Sequence, residues 1–199
     1  FGFLLALSVL ASQVSVTVDR HQHAAEHDPL TDVLNRRGFD RHVPDFRNET
    51  PDGAVITCDI DHFKRINDIY GHAAGDIVLI SLSDLLRRHT SNGAQVARFG
   101  GEEFVVFLPR QTAAAAGQVA NGIRAAFSSL DWKNRGILDQ ITASFGVSAI
   151  ARGDHSIHDA IKRADDSLYA AKRGGRDQVV LEGARLPAEG PSLRVISGR

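Results

Sequence analysis

At 199 residues the chain is long enough for one domain with a substantial core plus extensions. Its 43% hydrophobic and 24% charged content excludes a disordered chain, and a net charge of -1 excludes a global pull toward nucleic acid or anionic lipid, so an anionic substrate needs a local basic site. Cys58 is the only cysteine, which excludes an internal disulfide and fits a reducing compartment.

The chain starts at Phe1 and holds no methionine, so it reads as part of a longer protein. Residues 1–18 carry no charge, and their length sits at the lower limit of a membrane-spanning helix, which needs about 20 residues. They read as the end of a transmembrane helix or as a helix packing on the domain or a partner. Residues 19–27 read as a connecting helix. Its histidines, His21, His23 and His27, have no cysteine or paired carboxylate beside them in sequence and read as a solvated helix face. Pro29 suits an early helix position, with Leu30, Val33, Leu34 and Phe39 as a partial apolar face.

Residues 48–53 form a loop, and the β-branched run 54–58 a strand that ends in Asp59-Ile60-Asp61. Residues 62–70 read as a short helix broken by Gly71 and Gly75, and 76–89 as an amphipathic helix, with capping of that helix as the alternative to a ligand contact for Asp76. Two β-prone runs then flank Arg98-Phe99-Gly100-Gly101-Glu102-Glu103-Phe104, a hairpin whose adjacent glycines suit a tight turn. Residues 113–130 are helical, 141–150 a strand, 157–173 a helix and 178–181 a final short strand, with an unstructured tail from 183 to 199. Helices fall between strands, yet the hairpin needs an antiparallel pair. The expected class is therefore α+β, a mixed sheet flanked by helices.

The acidic turn is the chemically suggestive feature. Two neighbouring carboxylates repel each other at a hairpin tip, whereas a bare glycine backbone beside them accommodates phosphates and a divalent cation. Mg²⁺ takes oxygen ligands, commonly one or two carboxylates plus substrate phosphates. Asp59 and Glu102 supply the carboxylates and the Ile60 carbonyl a third oxygen, while Asp61 is expected to cap the helix that follows. Lys64, Arg98, Lys172 and Arg176 stand at element ends as a possible phosphate clamp. For Lys172 and Arg176 the alternative is a cationic helix C-terminus. Asn67, His72 and Asp76 flank the helix-breaking glycines, and an Asn–carboxylate pair suits a guanine edge.

On these residues the chain closely resembles the GGDEF diguanylate cyclases. The resemblance rests on residues 59–76 (DIDHFKRINDIYGHAAGD) and 98–104 (RFGGEEF), supported by 28–37 (DPLTDVLNRR) and 164–176 (ADDSLYAAKRGGR), four segments in one order across residues 28–182. It implies the nucleotidyl-cyclase fold, a five-stranded mixed sheet surrounded by helices and preceded by an N-terminal helix. It also implies condensation of two GTP into cyclic di-GMP, with release of two pyrophosphates, by a homodimer on the cytoplasmic face of a bacterial inner membrane. An upstream sensor or membrane segment is implied as partner.

By the same resemblance Asp59, the Ile60 carbonyl and Glu102 hold Mg²⁺ (or Mn²⁺), and Glu102 or Glu103 takes the proton of the attacking hydroxyl. Asn67, His72 and Asp76 contact guanine and substrate. Lys64, Lys172 and Arg176 bind phosphate or transition-state charge, and Gly100 and Gly101 admit the nucleotide. A catalytically silent, nucleotide-binding relay module of the same family is the alternative. Two departures stand out. Asp32-Val33 replaces the family's usual Gly-Leu, near the expected guanine pocket, and Ser91 and Ala94 replace the Arg-x-x-Asp of an inhibitory product site.

Overall fold

The computed structural model describes residues 22–44, 46, 51–90 and 93–184. The 1–18 segment and most of the tail, for which a packing or membrane helix and an unstructured end are expected, lie outside these. Among the described residues no helix is long and apolar enough to cross a membrane.

In chain order the elements are β1 (Leu34–Asn35), α1 (Arg36–His42), β2 (Gly53–Ile60), α2 (Phe63–Tyr70), α3 (His72–His89), β3 (Gln95–Gly100), β4 (Glu103–Pro109), α4 (Ala113–Ser128), β5 (Ala143–Ala149), α5 (Ile157–Arg173) and β6 (Val179–Leu181), with a short helical stretch at 22–26. The sheet order is β1-β3-β4-β2-β5-β6. β2 is antiparallel to both β4 and β5, whereas the outer pairs β1–β3 and β5–β6 are parallel. The mixed sheet is as expected, with a sixth strand in place of five.

β2 is buried along its whole length, which explains why residues 54–58 show an apolar run interrupted only by Thr57 instead of alternation. Its even-numbered side chains, Ala54, Ile56, Cys58 and Ile60, join the core beneath α2, α3 and α4. Val55 joins a second core with Val105, Phe107, Ile161 and Ala164 of α5. Asp59 is on this second face by alternation, so it points toward α5. Burial also pushes the Cys58 thiol up, far from reactive thiolate chemistry.

Three local expectations are corrected. Residues 28–33 form a turn, not a helix start. The Asp28 carboxylate accepts from Thr31 N (2.9 Å) and Thr31 Oγ1 (2.7 Å), a local side-chain bond that competes with helix formation. The helix begins only after Asn35, whose side chain accepts from Gly38 N at 2.9 Å. Next, α3 begins at His72, so Asp76 lies exposed inside the helix and caps nothing. Only Gly71 breaks the helical run; Gly75 is buried within α3 because a Cβ there would fall 2.0 Å from Asn67 Oδ1. Third, α2 is N-capped by His62 without a side-chain bond, so Asp61 is not its cap.

Candidate active site

Four chain ends converge at one edge of the sheet: the end of β2, the β3–β4 turn, the start of α2 and the end of α5. β2 delivers Asp59 opposite Glu103 of β4 and Ser144 of β5. β3 ends at Gly100 and β4 starts at Glu103, which leaves Gly101 and Glu102 as the turn. Gly101 has φ +49°, a conformation glycine takes at least cost, while Gly100 does not need positive φ. A Cβ at either glycine would meet nothing within 4 Å, so the backbone face of the turn is open to a ligand.

The turn is anchored from behind. Arg98 Nε donates to Gly101 O at 2.9 Å, and its Nη1 reaches both Asp28 oxygens at 3.0 and 3.2 Å. Burial works against the Asp28 charge, but the Thr31 bonds and the Arg98 guanidinium outweigh it and hold the carboxyl below its usual range. Arg98 thus braces the turn through its Nε and Nη1. Phe99, at the register shift between Arg98 and Gly100, packs edge-on against Phe39 at 5.3 Å.

Asp59 is the electrostatic centre. Its carboxylate is 9% exposed and lies 2.8 Å from Lys172 Nζ. Burial raises its pKa, the Lys172 ammonium lowers it, and the Glu102 and Glu103 charges raise it again, leaving the group pushed up to about 6. Glu102 acts on Asp59 more strongly than Glu103 does. Lys172 is therefore more than a helix-end cation: it pairs with the buried acid from the α5 side of the sheet.

Asp61 serves another purpose. Residues 59 and 61 would share a face if the strand continued, but β2 ends at Ile60. Asp61 turns to accept from Thr142 Oγ1 (2.7 Å), Ser144 Oγ (2.7 Å) and the Asp177 backbone N–H (3.1 Å). Arg124 holds the same loop through the Asp177 carboxylate at 2.8 Å. Arg176 and Asp177 both have positive φ (+65° and +43°), so this network maintains an uncomfortable backbone that carries Arg176 past the end of α5. Sequence reasoning missed this role, because Asp-x-Phe before a helix looks like a cap.

On the other face, Lys64 is exposed in the first turn of α2, Asn67 is half-buried beside Gly75, and His72 and Asp76 are exposed on α3. Lys64 and Arg176 make no ion pair among the described residues. Between the turn and α5 lies a cleft of about 280 Å³ lined by Thr57, Phe99, Glu103, Asp165, Tyr169 and Lys172. Asp165 was not singled out from the sequence; burial raises its pKa.

Asp32 is not near this edge. It lies 3.8 Å from Arg87, which follows Asp76 by eleven residues on α3, about 16 Å along the helix axis. The expected charge beside a guanine pocket is thereby relocated to the opposite end of α3.

Residues 25–178 match the family model described as "Diguanylate cyclase, GGDEF domain". The chain belongs to the GGDEF family. It is 39% identical over 163 residues to the diguanylate cyclase DgcM of Escherichia coli K12, covering 80% of this chain and 39% of that protein. Against the diguanylate cyclase VdcA of Vibrio cholerae it is 35% identical over 180 residues, covering 89% of this chain and 53% of that one. The chain therefore spans about half or less of these relatives. Among solved structures, the coiled coil and GGDEF domain of DgcB from Caulobacter crescentus, in complex with c-di-GMP, superposes with TM-score 0.80 at 31% identity, covering 89% of this chain and 96% of that one. The active GGEEF domain of a Vibrio cholerae diguanylate cyclase gives 0.63 at 36% identity, over 68% of this chain and 85% of that one.

Proposed function

We propose that this GGDEF domain is an active diguanylate cyclase, condensing two GTP into cyclic di-GMP with release of two pyrophosphates, with Mg²⁺ or Mn²⁺ and as a pair of domains. The observation that carries the reading is the Asp59 carboxylate, held by Lys172 at 2.8 Å, with Glu102 and Glu103 bearing on it from an open glycine turn. Three carboxylates acting on one another, with one ammonium paired to Asp59, leave acceptor oxygens in excess, the donor set of a hard cation. Asp59, Glu102 and the Ile60 carbonyl would hold Mg²⁺. When bound, that ion would offset the charge of the triphosphate.

The chain's own residues supply the rest. Asn67 and Asp76 offer an amide and a carboxylate to a guanine edge, with His72 at the mouth of the same helix. Lys64, Lys172 and Arg176 bring three cations toward the phosphates from both faces of the sheet. Glu102 or Glu103 accepts the proton of the 3′-hydroxyl as its oxygen bonds to the α-phosphorus of the other nucleotide and the bond to pyrophosphate breaks. Repeating the step in the opposite sense closes the ring. A single domain presents one nucleotide, so turnover requires a second copy.

Incubating a dimer-forced chain with GTP and Mg²⁺ tests the reading by release of pyrophosphate and by mass identification of the dinucleotide. GTP bound without product, by chains demonstrably dimeric, would assign the domain to the silent relay class. Two further outcomes are expected. Gly75→Ala is expected to expel the Asn67 carboxamide, whose oxygen sits 2.0 Å from the new methyl position. The measured KM for GTP then rises about tenfold with kcat little changed, because a binding contact is lost. Micromolar cyclic di-GMP is expected to leave initial rates unchanged, since the Ser91 and Ala94 positions offer it no charged partner.

A further inference from the structure

The histidines that looked like a solvated helix face have a carboxylate after all, supplied by the fold and not by the local sequence. His23 and His27 lie one helical turn apart with their rings stacked, 3.8 Å between centroids and 11° between planes. Asp32 Oδ1 lies 3.5 Å from His23 Nε2 and 3.9 Å from His27 Nδ1. One ligand atom from each residue falls within 4.8 Å of the other two. Two ligands on a tetrahedral Zn²⁺ at about 2.0–2.1 Å are spaced about 3.3 Å apart, so only small side-chain shifts separate this arrangement from a coordination sphere.

The backbone at Asp32 adds to this. Its φ is +58°, the left-handed region where glycine is most at ease, and it is the position where the resemblance leads one to expect glycine. An aspartate there costs backbone energy, and what its side chain meets is the histidine pair and, through Oδ2 at 3.8 Å, Arg87 at the end of α3. The Arg87 pair is exposed on both sides and contributes little by itself, but it turns Oδ2 away and leaves Oδ1 facing the imidazoles.

We infer that His23, His27 and Asp32 form a binding site for a transition-metal dication of the Zn²⁺ class, separate from the Asp59 edge. Two imidazoles and one carboxylate are borderline ligands that prefer Zn²⁺, Co²⁺ or Ni²⁺ over Mg²⁺, and the exposed position leaves room for water as the fourth ligand. His27 Nδ1 is 3.0 Å from the Asp32 carbonyl oxygen, so in the metal-free chain it carries the ring proton and donates it there. Ligation through Nδ1 moves that proton to Nε2 and releases the bond, with no net proton lost from the ring. The bound ion ties the helix that enters the domain to its first loop, and so fixes the angle of entry.

Titrating the 199-residue chain with Zn²⁺ in millimolar Mg²⁺, after chelator treatment, is expected to show one site of micromolar affinity by calorimetry. Co²⁺ in its place is expected to give the visible absorption of a low-coordinate N/O site. Asp32→Gly and the double variant His23→Ala/His27→Ala should each weaken Zn²⁺ by more than about tenfold. Because glycine also relieves the positive φ, Asp32→Gly should melt higher than the parent in chelator and lower than it in saturating Zn²⁺. That crossing distinguishes a lost ligand from a disturbed fold. Failure of the parent to bind Zn²⁺, or binding that survives both sets of substitutions, overturns the inference.

Discussion

Replacing Asp59 with asparagine is expected to reduce cyclic dinucleotide formation by about a thousandfold or more, and at the same time to stabilise the metal-free domain at neutral pH. The first effect follows from removing a carboxylate proposed to hold the metal and the partner that positions Lys172. The second follows from linkage. The Asp59 carboxyl is pushed up to about 6 from 3.8, burial being the largest cause, so between about pH 4 and pH 6 the folded state binds more protons than the unfolded one. Stability therefore declines as pH rises through that window and levels off above it. The ionised, buried acid costs about 3 kcal/mol at pH 7 relative to an unshifted one. Asparagine does not titrate and avoids that penalty, so the variant should show a flatter stability curve between pH 4 and 7. Millimolar Mg²⁺ should stabilise the parent and leave the variant unmoved. Denaturant titrations across pH, with and without Mg²⁺, decide it: a variant curve parallel to the parent's would show that Asp59 is not the strained group. The expected combination, more stable and inactive, is the signature of a site that keeps charges together for chemistry at the expense of the fold.

The same residue shows how far the sequence alone carries the argument. The strand that carries Asp59 was legible because a β-branched run bounded by a loop has few other readings. Helix α5 was legible to the residue, since its apolar positions repeat at helical spacing and Ser156 with Asp159 forms a capping box. What the sequence does not carry is which side chain meets which across the sheet. Lys172 and Asp59 meet only because α5 packs on the face of β2 that Asp59 shares with Val55. Asp61 looked like a helix cap because only its neighbours in sequence were visible, whereas its partners Thr142, Ser144 and Asp177 arrive from β5 and the loop after α5. His23 and His27 were set aside for want of a carboxylate that the 28–33 turn then supplied. These three misses concern contacts made by packing between segments, whereas these two correct readings concern patterns closed within one element.

The dependence of the site on that packing makes Gly146→Ala the substitution with the largest expected effect on the fold. Gly146 lies on β5, opposite Thr57 of β2, on the face that α5 covers. A Cβ there would stand 2.0 Å from the Ala164 carbonyl oxygen and 2.3 Å from the Leu168 nitrogen, both backbone atoms of α5. Neither can rotate away, so the whole helix must lift from the sheet. Overpacking of this kind costs on the order of 3 kcal/mol. In a domain of this size that is a fall in Tm of about 10 °C. Gly153→Ala is the control: no atom lies within 4 Å of its Cβ position, and its melting temperature should stay within a degree or two of the parent's. Lifting α5 also draws Lys172 away from Asp59, so product formation should fall well below the folded fraction measured at the same temperature. Hydrogen exchange should report faster opening along α5 and leave α3 protected. Loss of activity in strict proportion to unfolding would mean that the Lys172–Asp59 contact is dispensable for the chemistry. A loss exceeding it would tie the reacting edge to the seating of one helix on one glycine.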